Sequence, residues 1–303
     1  MISNEVLYIS EWHGWLNNEK RLSRNTIESY KRDMNSFLRF IAEHYGKKID
    51  IKDLSQISEE DITGWFYKRL KVGVIHRSNA RALSSIKSFF YFLTKKKKYK
   101  PHLILGLNGP KFISNLPRPL TKDQIEKIFA NIKSEKVKWI LIRNLSIVIL
   151  MWGYGLRISE VLNLSHDDFD LSEIRIKGKG KKTRIIPIIS QVRNFIKSLV
   201  KECPFDLEKN KPIFRGKRGG KLNATVVQKL VRDIRIKLFL PENVTPHSFR
   251  HTFATELLEN LADLRVIQEL MGHSSLSTTQ KYTAVTTKRI EKMLMKSHPL
   301  SDN

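Results

Sequence analysis

Four short segments hold residues whose types and spacing suit chemistry on an anion. They are Gly155-Leu-Arg157-Ile-Ser-Glu160, the turn Lys177-Gly-Lys179-Gly-Lys-Lys182, Thr245-Pro-His247-Ser-Phe-Arg250-His251, and Gly272-His273 followed nine residues later by Tyr282. His247 and Arg250 are spaced i, i+3, so both point to one side of a helix. Thr245 suits the cap of that helix and Pro246 its first position. The pair therefore sits at a helix N-terminus, where free amides and the helix dipole favour a negative ligand. His247 and His251 also have the i, i+4 spacing of a metal pair. No acidic residue lies between them and no third ligand is evident, which disfavours that use. His251 reads as a side chain packed on the core.

The other segments also admit bland readings. Arg157 and Glu160, again i, i+3, suit an ordinary helical ion pair of small worth. The lysines around position 179 suit a solvated turn, although glycines on both sides of Lys179 let the backbone approach a phosphate closely. Tyr282 suits a packed aromatic, yet its neighbours Gln280, Lys281 and Thr283 are polar, which speaks against a deep core site.

The elements that must position these residues fall into two halves. From residue 5 to 95 the pattern is helical. Ser23 precedes an amphipathic segment, Asn25 to His44, in which Ile27, Tyr30, Met34, Phe37, Leu38 and Ile41 recur at spacings of three and four. Ser58 followed by Glu59, Glu60 and Asp61 is a helix cap with an acidic first turn, and a further helix runs from about Ser78 to Leu93. The composition changes at Lys95–Lys98. Pro101, Gly106, Gly109, Pro110, Pro117 and Pro119 then suit a linker better than an element interior, which puts the domain boundary within 99–117. Helical pattern resumes at Thr121, Leu141 to Trp152 is a mostly apolar helix, and β-branched residues on both sides of the Lys-Gly turn between Glu173 and Ile189 predict a hairpin. After Asn223 the chain returns to helices.

The whole chain has 303 residues, with 55 lysines and arginines against 30 acidic residues and a formal net charge of +25. So large a positive charge needs a polyanion, with nucleic acid first and an anionic membrane surface second. A hydrophobic share of 41% supports a packed core and excludes wholesale disorder. The single cysteine, Cys203, excludes an internal disulfide framework and cysteine-based zinc modules, and favours a reducing intracellular setting. Met1 to Trp15 lacks the pattern of a signal peptide. The longest apolar stretch, Trp139 to Trp152, is interrupted by Arg143 and Asn144 and is too short to span a bilayer. A soluble, cytoplasmic protein is expected.

Taken in order and spacing, GLRISE, the GKG turn, HSFRH and LMGHSSLSTTQKYT resemble the tyrosine recombinase family, also called the phage integrase family, and within it the Xer-like members. Leu22 to Tyr30 and Ser84 to Tyr91 look like helices of that family's core-binding domain. Two departures are mild. Met271 precedes Gly272-His273 where leucine is commoner, and Lys100-Pro101 stands where the linker usually starts with Asn-Pro.

The resemblance implies a mainly α fold with a small antiparallel β-sheet in the C-terminal domain, arranged as a two-domain DNA clamp. Residues 1–105 would form the helical core-binding, SAM-like domain, 106–117 the linker and 118–303 the catalytic domain. It implies that Arg157, Lys179, His247, Arg250, His273 and Tyr282 are the catalytic set. Tyr282 would attack a DNA phosphate to give a 3′-phosphotyrosyl bond. Arg157, Arg250 and His273 would stabilise the phosphorane-like transition state, Lys179 would protonate the departing 5′-oxygen and His247 would accept the tyrosine's proton. Glu160 would hold Arg157 in place. No cofactor and no metal are expected. The implied partners are double-stranded DNA, further copies of the chain (a tetramer on two DNA sites), and a second recombinase or regulatory protein; no membrane is implied, and the location is cytoplasmic and nucleoid-associated. Dimer resolution and mobile-element integration or excision are both open. Type IB topoisomerase-like activity and a non-catalytic architectural role on DNA are the alternatives. Ile290, Met293 and Leu294 form a short apolar stripe after Tyr282 that packs on its own domain or, by the same resemblance, docks on a neighbouring protomer.

Overall fold

The computed structural model describes residues 8–109, 119–169, 173–177, 183–208, 210–260 and Met271. The chain divides into two compact units, Met1–Asn115 and Leu116–Asn303. Among the described residues no helix is long and apolar enough to cross a membrane.

The first unit is helical: α1 (Ile9–Asn18), α2 (Arg24–Tyr45), α3 (Glu59–Lys71) and α4 (His76–Lys97), with short 3-10 turns at Asp53–Gln56 and Leu103–Leu105. α2 begins where Ser23 Oγ accepts the Thr26 N–H at 3.2 Å. α3 begins in a capping box: Asp61 N–H donates to Ser58 Oγ at 3.2 Å and Ser58 N–H to Asp61 Oδ2 at 2.9 Å. The lysines at 95–97 form the last turn of α4, where positive charge complements the helix dipole. The predicted inward residues of α2 are buried, except Tyr30, which is half-buried. They meet Trp12, Trp65, Ile86 and Phe89 in one core. Each such apolar side chain stabilises the fold by roughly 1.5–3 kcal/mol. At the α2/α4 crossing the buried Asp33 accepts two hydrogen bonds from Arg81, at 2.9 and 3.2 Å, and lies 3.5 Å from Arg69.

The second unit is built around α6 (Lys138–Gly153), which is apolar on nearly every side and almost entirely buried, as a central helix must be. α5 (Lys122–Lys133), α8 (Ser190–Glu202) and α10 (Pro246–Asn260) pack on it. The polar interruption at Arg143-Asn144 is accommodated by hydrogen bonding: the Arg143 guanidinium donates to Asn144 Oδ1 and to the Arg215 carbonyl, and lies over the Trp139 ring. After α6 come the one-turn α7 (Ile158–Val161), then β1 (Glu173–Lys177) and β2 (Thr183–Pro187), an antiparallel pair in the register Ile174↔Ile186 and Ile176↔Arg184. Directly opposed residues share a face. Ile174, Ile176 and Ile186 are buried, so Arg184 lies on the core-facing side. α9 (Ala224–Lys237) precedes α10. Among the described residues the fold is thus mainly α with a small antiparallel sheet, as the family resemblance implies.

Candidate active site

The site starts where α6 ends. Gly155 has φ +62°, a conformation disfavoured for residues with a Cβ, and a Cβ there would press into the Phe253 ring and approach Met271 Sδ at 3.1 Å. This close approach brings the Gly155 carbonyl against α10, where it accepts a hydrogen bond from Arg250 Nη1. Arg250 Nη2 donates to the Met271 carbonyl. Arg250 is 3% exposed, so these bonds hold a guanidinium inside the protein.

Two residues further on, Arg157 occupies the N-cap of α7 and Glu160 its third position. Glu160 Oε2 accepts the Arg157 backbone N–H at 2.7 Å and Glu160 Oε1 accepts Arg157 Nη1 at 2.9 Å. Arg184 adds a two-pronged contact from β2: its Nη1 donates to Oε1 at 2.9 Å and its Nη2 to Oε2 at 2.8 Å. Arg250 Nη1 stands 3.9 Å from Oε2. Three arginines, from a helix cap, a strand and a second helix, surround one carboxylate.

The electrostatics follow from that geometry. Burial pushes the Glu160 carboxyl up, but the Arg184 fork, then the Arg157 N–H and guanidinium, outweigh it and hold the group down at about 2. Arg250 is lowered to about 10, first by burial and then by repulsion from Arg157, with Glu160 opposing. Both groups are charged at neutral pH. The cluster keeps a positive excess, and the Arg157 side chain, 41% exposed, carries it to the surface. Such a cluster suits a phosphate or another oxyanion.

Thr245 directly precedes the first turn of α10, with its Oγ1 3.5 Å from Ser248 Oγ. Ser248 accepts the Thr245 N–H at 3.1 Å and donates to the Asn243 carbonyl at 2.8 Å. Pro246 is the first helical residue. His247 is exposed on the same turn as the buried Arg250, and His251 is half-buried. Arg157 and Arg250 are thus brought together, with His247 one turn away from Arg250 along α10. Lys179, His273 and Tyr282 lie outside the described residues, as does the stripe at Ile290, Met293 and Leu294. Asp168 is a cap residue, accepting the Ser165 N–H at 2.8 Å and the Ser165 hydroxyl at 2.7 Å. The sequence reading missed Arg184. The available signal was strand alternation, which turns a cation toward the core in register with isoleucines.

Comparison with known proteins places these features in context. Residues 118–289 match the family described as phage integrase, and residues 9–97 match the phage integrase N-terminal SAM-like domain. A tyrosine recombinase XerC from Agrobacterium fabrum is 40% identical over 291 residues, covering 95% of this chain and 92% of that protein. One from Rickettsia bellii is 39% identical over 299 residues, covering 96% of each. Among solved structures, the XerH site-specific recombinase bound to its difH substrate is similar in fold, with a TM-score of 0.64 and 23% identity over 89% of this chain and 78% of that one. The Tn1549 transposon integrase in complex with transposon right-end DNA aligns with a TM-score of 0.62 and 21% identity, over 94% of this chain and 96% of that one.

Proposed function

The chain belongs to the phage integrase family of tyrosine recombinases, and from that premise we propose that it cuts and rejoins double-stranded DNA at a specific site through a phosphotyrosyl bond to Tyr282. The observation that carries the reading is the convergence of Arg157 and Arg250 on one buried carboxylate, an arrangement that builds a cationic oxyanion pocket from distant parts of the sequence.

Tyr282 attacks the scissile phosphorus. The P–O5′ bond breaks, a 3′-phosphotyrosyl bond forms, and the bond energy is kept for rejoining. A 5′-hydroxyl from the partner strand then attacks the phosphotyrosine and releases Tyr282. Arg157 and Arg250 each offer planar, paired donors to the non-bridging oxygens, whose charge grows in the transition state. His273 adds a hydrogen bond there. Lys179 delivers a proton to the departing 5′-oxygen, and His247 takes the proton from Tyr282, whose unperturbed pKa is about 10. Each proton transfer contributes on the order of 10²–10⁴-fold.

The net charge of +25 supports binding to the DNA backbone, with affinity that falls steeply as salt rises. Near full-length similarity to XerC recombinases favours an Xer-like task, acting as a tetramer on two DNA sites inside the cell, over integration of a mobile element.

The deciding experiment maps cleavage on host genomic DNA, builds a nicked duplex from the site found, and resolves the products on a denaturing gel. A protein–DNA adduct is expected from the chain as it stands and none from Tyr282→Phe. An adduct unchanged in Tyr282→Phe removes that tyrosine from its role. DNA binding with no cleavage leaves the architectural reading, and relaxation of supercoils without two-site exchange leaves the topoisomerase reading.

A further inference from the structure

We propose that Arg184 is a positioning residue for strand cleavage: by filling the acceptor positions of Glu160, it fixes Arg157 and keeps Arg250 available for the DNA phosphate. The assignment rests on the recombinase reading and adds to it a residue outside the six proposed catalytic side chains.

An ionised carboxylate offers about four lone-pair positions. In Glu160 four donors occupy them. Oε1 takes Arg157 Nη1 and Arg184 Nη1; Oε2 takes the Arg157 backbone N–H and Arg184 Nη2. Arg250 stands just beyond hydrogen-bond distance of Oε2, at 3.9 Å, and its terminal nitrogens reach the Gly155 and Met271 carbonyls instead. Each terminal nitrogen of a guanidinium carries two hydrogens. The contacts to Gly155 and Met271 therefore leave Arg250 donors for an incoming oxyanion, provided Glu160 does not take them.

Arg184 is what prevents that. Its side chain is 13% exposed, against 7% for Glu160, so the pair is screened from water. Its Nε is buried and has no hydrogen-bond partner among the described residues, which leaves the Glu160 carboxylate to offset the desolvation of the whole guanidinium. Without the fork, two acceptor positions on Glu160 open beside Arg157 and Arg250, the other cations facing it. The carboxylate then draws both guanidinium groups toward itself and away from the phosphate. A misplacement of about 1 Å at such a site costs on the order of 10²-fold in rate. DNA affinity is spread over many backbone contacts and barely responds.

The test uses the full-length chain on the nicked duplex of the mapped site, with binding read by gel shift, cleavage by adduct formation and folding by thermal melting. Arg184→Met is expected to slow adduct formation about 10²-fold while the Kd for the duplex stays within about threefold. Glu160→Gln, in which the neutral amide no longer attracts Arg250, is expected to add little on top of Arg184→Met, because the two residues act as one unit. Arg184→Lys keeps the charge but cannot occupy both oxygens, and it is expected to slow adduct formation about tenfold; it carries the test if the methionine variant does not fold. Cleavage by Arg184→Lys at the unmodified rate overturns the proposal. So do additive losses in the double variant, or a parallel fall of melting temperature, binding and cleavage. No adduct from the unmodified chain overturns the recombinase reading itself, an outcome distinct from the failure of Arg184 alone.

Discussion

Glu160 grips Arg157 at two points, accepting its backbone N–H at 2.7 Å and its guanidinium at 2.9 Å, so the arginine's place in the chain and its charged head are fixed by one carboxylate. The bond to the backbone caps α7, and the bond to the side chain aims the cation. The same carboxylate is bound by Arg184 from the hairpin, so a single buried anion ties together the helix cap and the strand.

Glu160 makes the fold sensitive to acid. Its carboxyl lies at about 2, below its ordinary 4.5, because the Arg184 fork and Arg157 outweigh the effect of burial. A group whose folded pKa is depressed adds stability above its unfolded value and loses it as the pH falls toward the folded one. The contribution, up to about 2 kcal/mol, is therefore complete above roughly pH 5 and fades toward pH 2. Urea denaturation at pH 6 and pH 3.5 should show a larger loss of midpoint for the unmodified chain than for Glu160→Gln. At pH 6 Glu160→Gln should itself be less stable by about 3 kcal/mol or more, since it leaves three arginines facing a neutral group. Equal losses for the two proteins between these pH values would remove Glu160 from this role.

Much of this architecture is legible in the residues themselves. Ser23 and Ser58 announce their helices because a hydroxyl or carboxylate three residues from a partner amide is a local signal. α6 reads as buried because it is apolar on nearly every side. Other features depend on residues far apart in sequence. Arg157 and Glu160 read as a weak surface pair because i, i+3 ion pairs are worth little in water; Arg184 and burial make this one strong. Arg81 of α4 is bonded to Asp33 of α2, 48 positions away in the sequence. Asn144 stands beside Arg143 in the sequence, but the Arg215 carbonyl that completes the satisfaction of that buried cation comes from a distant loop.

Asp33 should be the most sensitive polar position of the first unit. It is buried, takes the Arg81 fork and lies within ion-pair distance of Arg69, itself stacked over the Trp65 ring. Asp33→Ala leaves the largely buried Arg69 without its counter-charge, while Arg81, 46% exposed, can turn to water, and a loss of about 1–3 kcal/mol follows. Replacing Arg81 as well should recover part of it, because a cation is removed with its partner. A double variant less stable than Asp33→Ala would contradict the pairing.

Gly155 is required twice over, for its positive φ and for the space that Phe253 and Met271 occupy. Gly155→Ala should cost about 1–3 kcal/mol from backbone strain and overpacking. It should also displace the carbonyl that holds Arg250, so cleavage should fall more than site binding does. Chemical denaturation and adduct formation on the same preparation separate the two effects. An alanine variant of unchanged stability would show that the α6–α7 turn relaxes around a methyl group.

Lys179 lies between two glycines in the stretch that joins β1 to β2, while Arg184 is on β2 itself, so the hairpin links the proposed general acid to the arginine cluster. A departing 5′-alkoxide is a poor leaving group without a proton. Lys179→Ala should therefore slow cleavage by about 10²–10⁴-fold on ordinary DNA. A duplex with sulfur in place of the bridging 5′-oxygen departs as a thiolate, whose conjugate acid has a pKa of only about 8.5. On that duplex the alanine variant should approach the unmodified chain. Arg250→Ala should gain no such rescue, since its proposed role is to stabilise charge on the non-bridging oxygens, which the sulfur leaves in place. Equal impairment of Lys179→Ala on both duplexes would show that the lysine serves as another phosphate contact, and the proton would then have to come from elsewhere in the site.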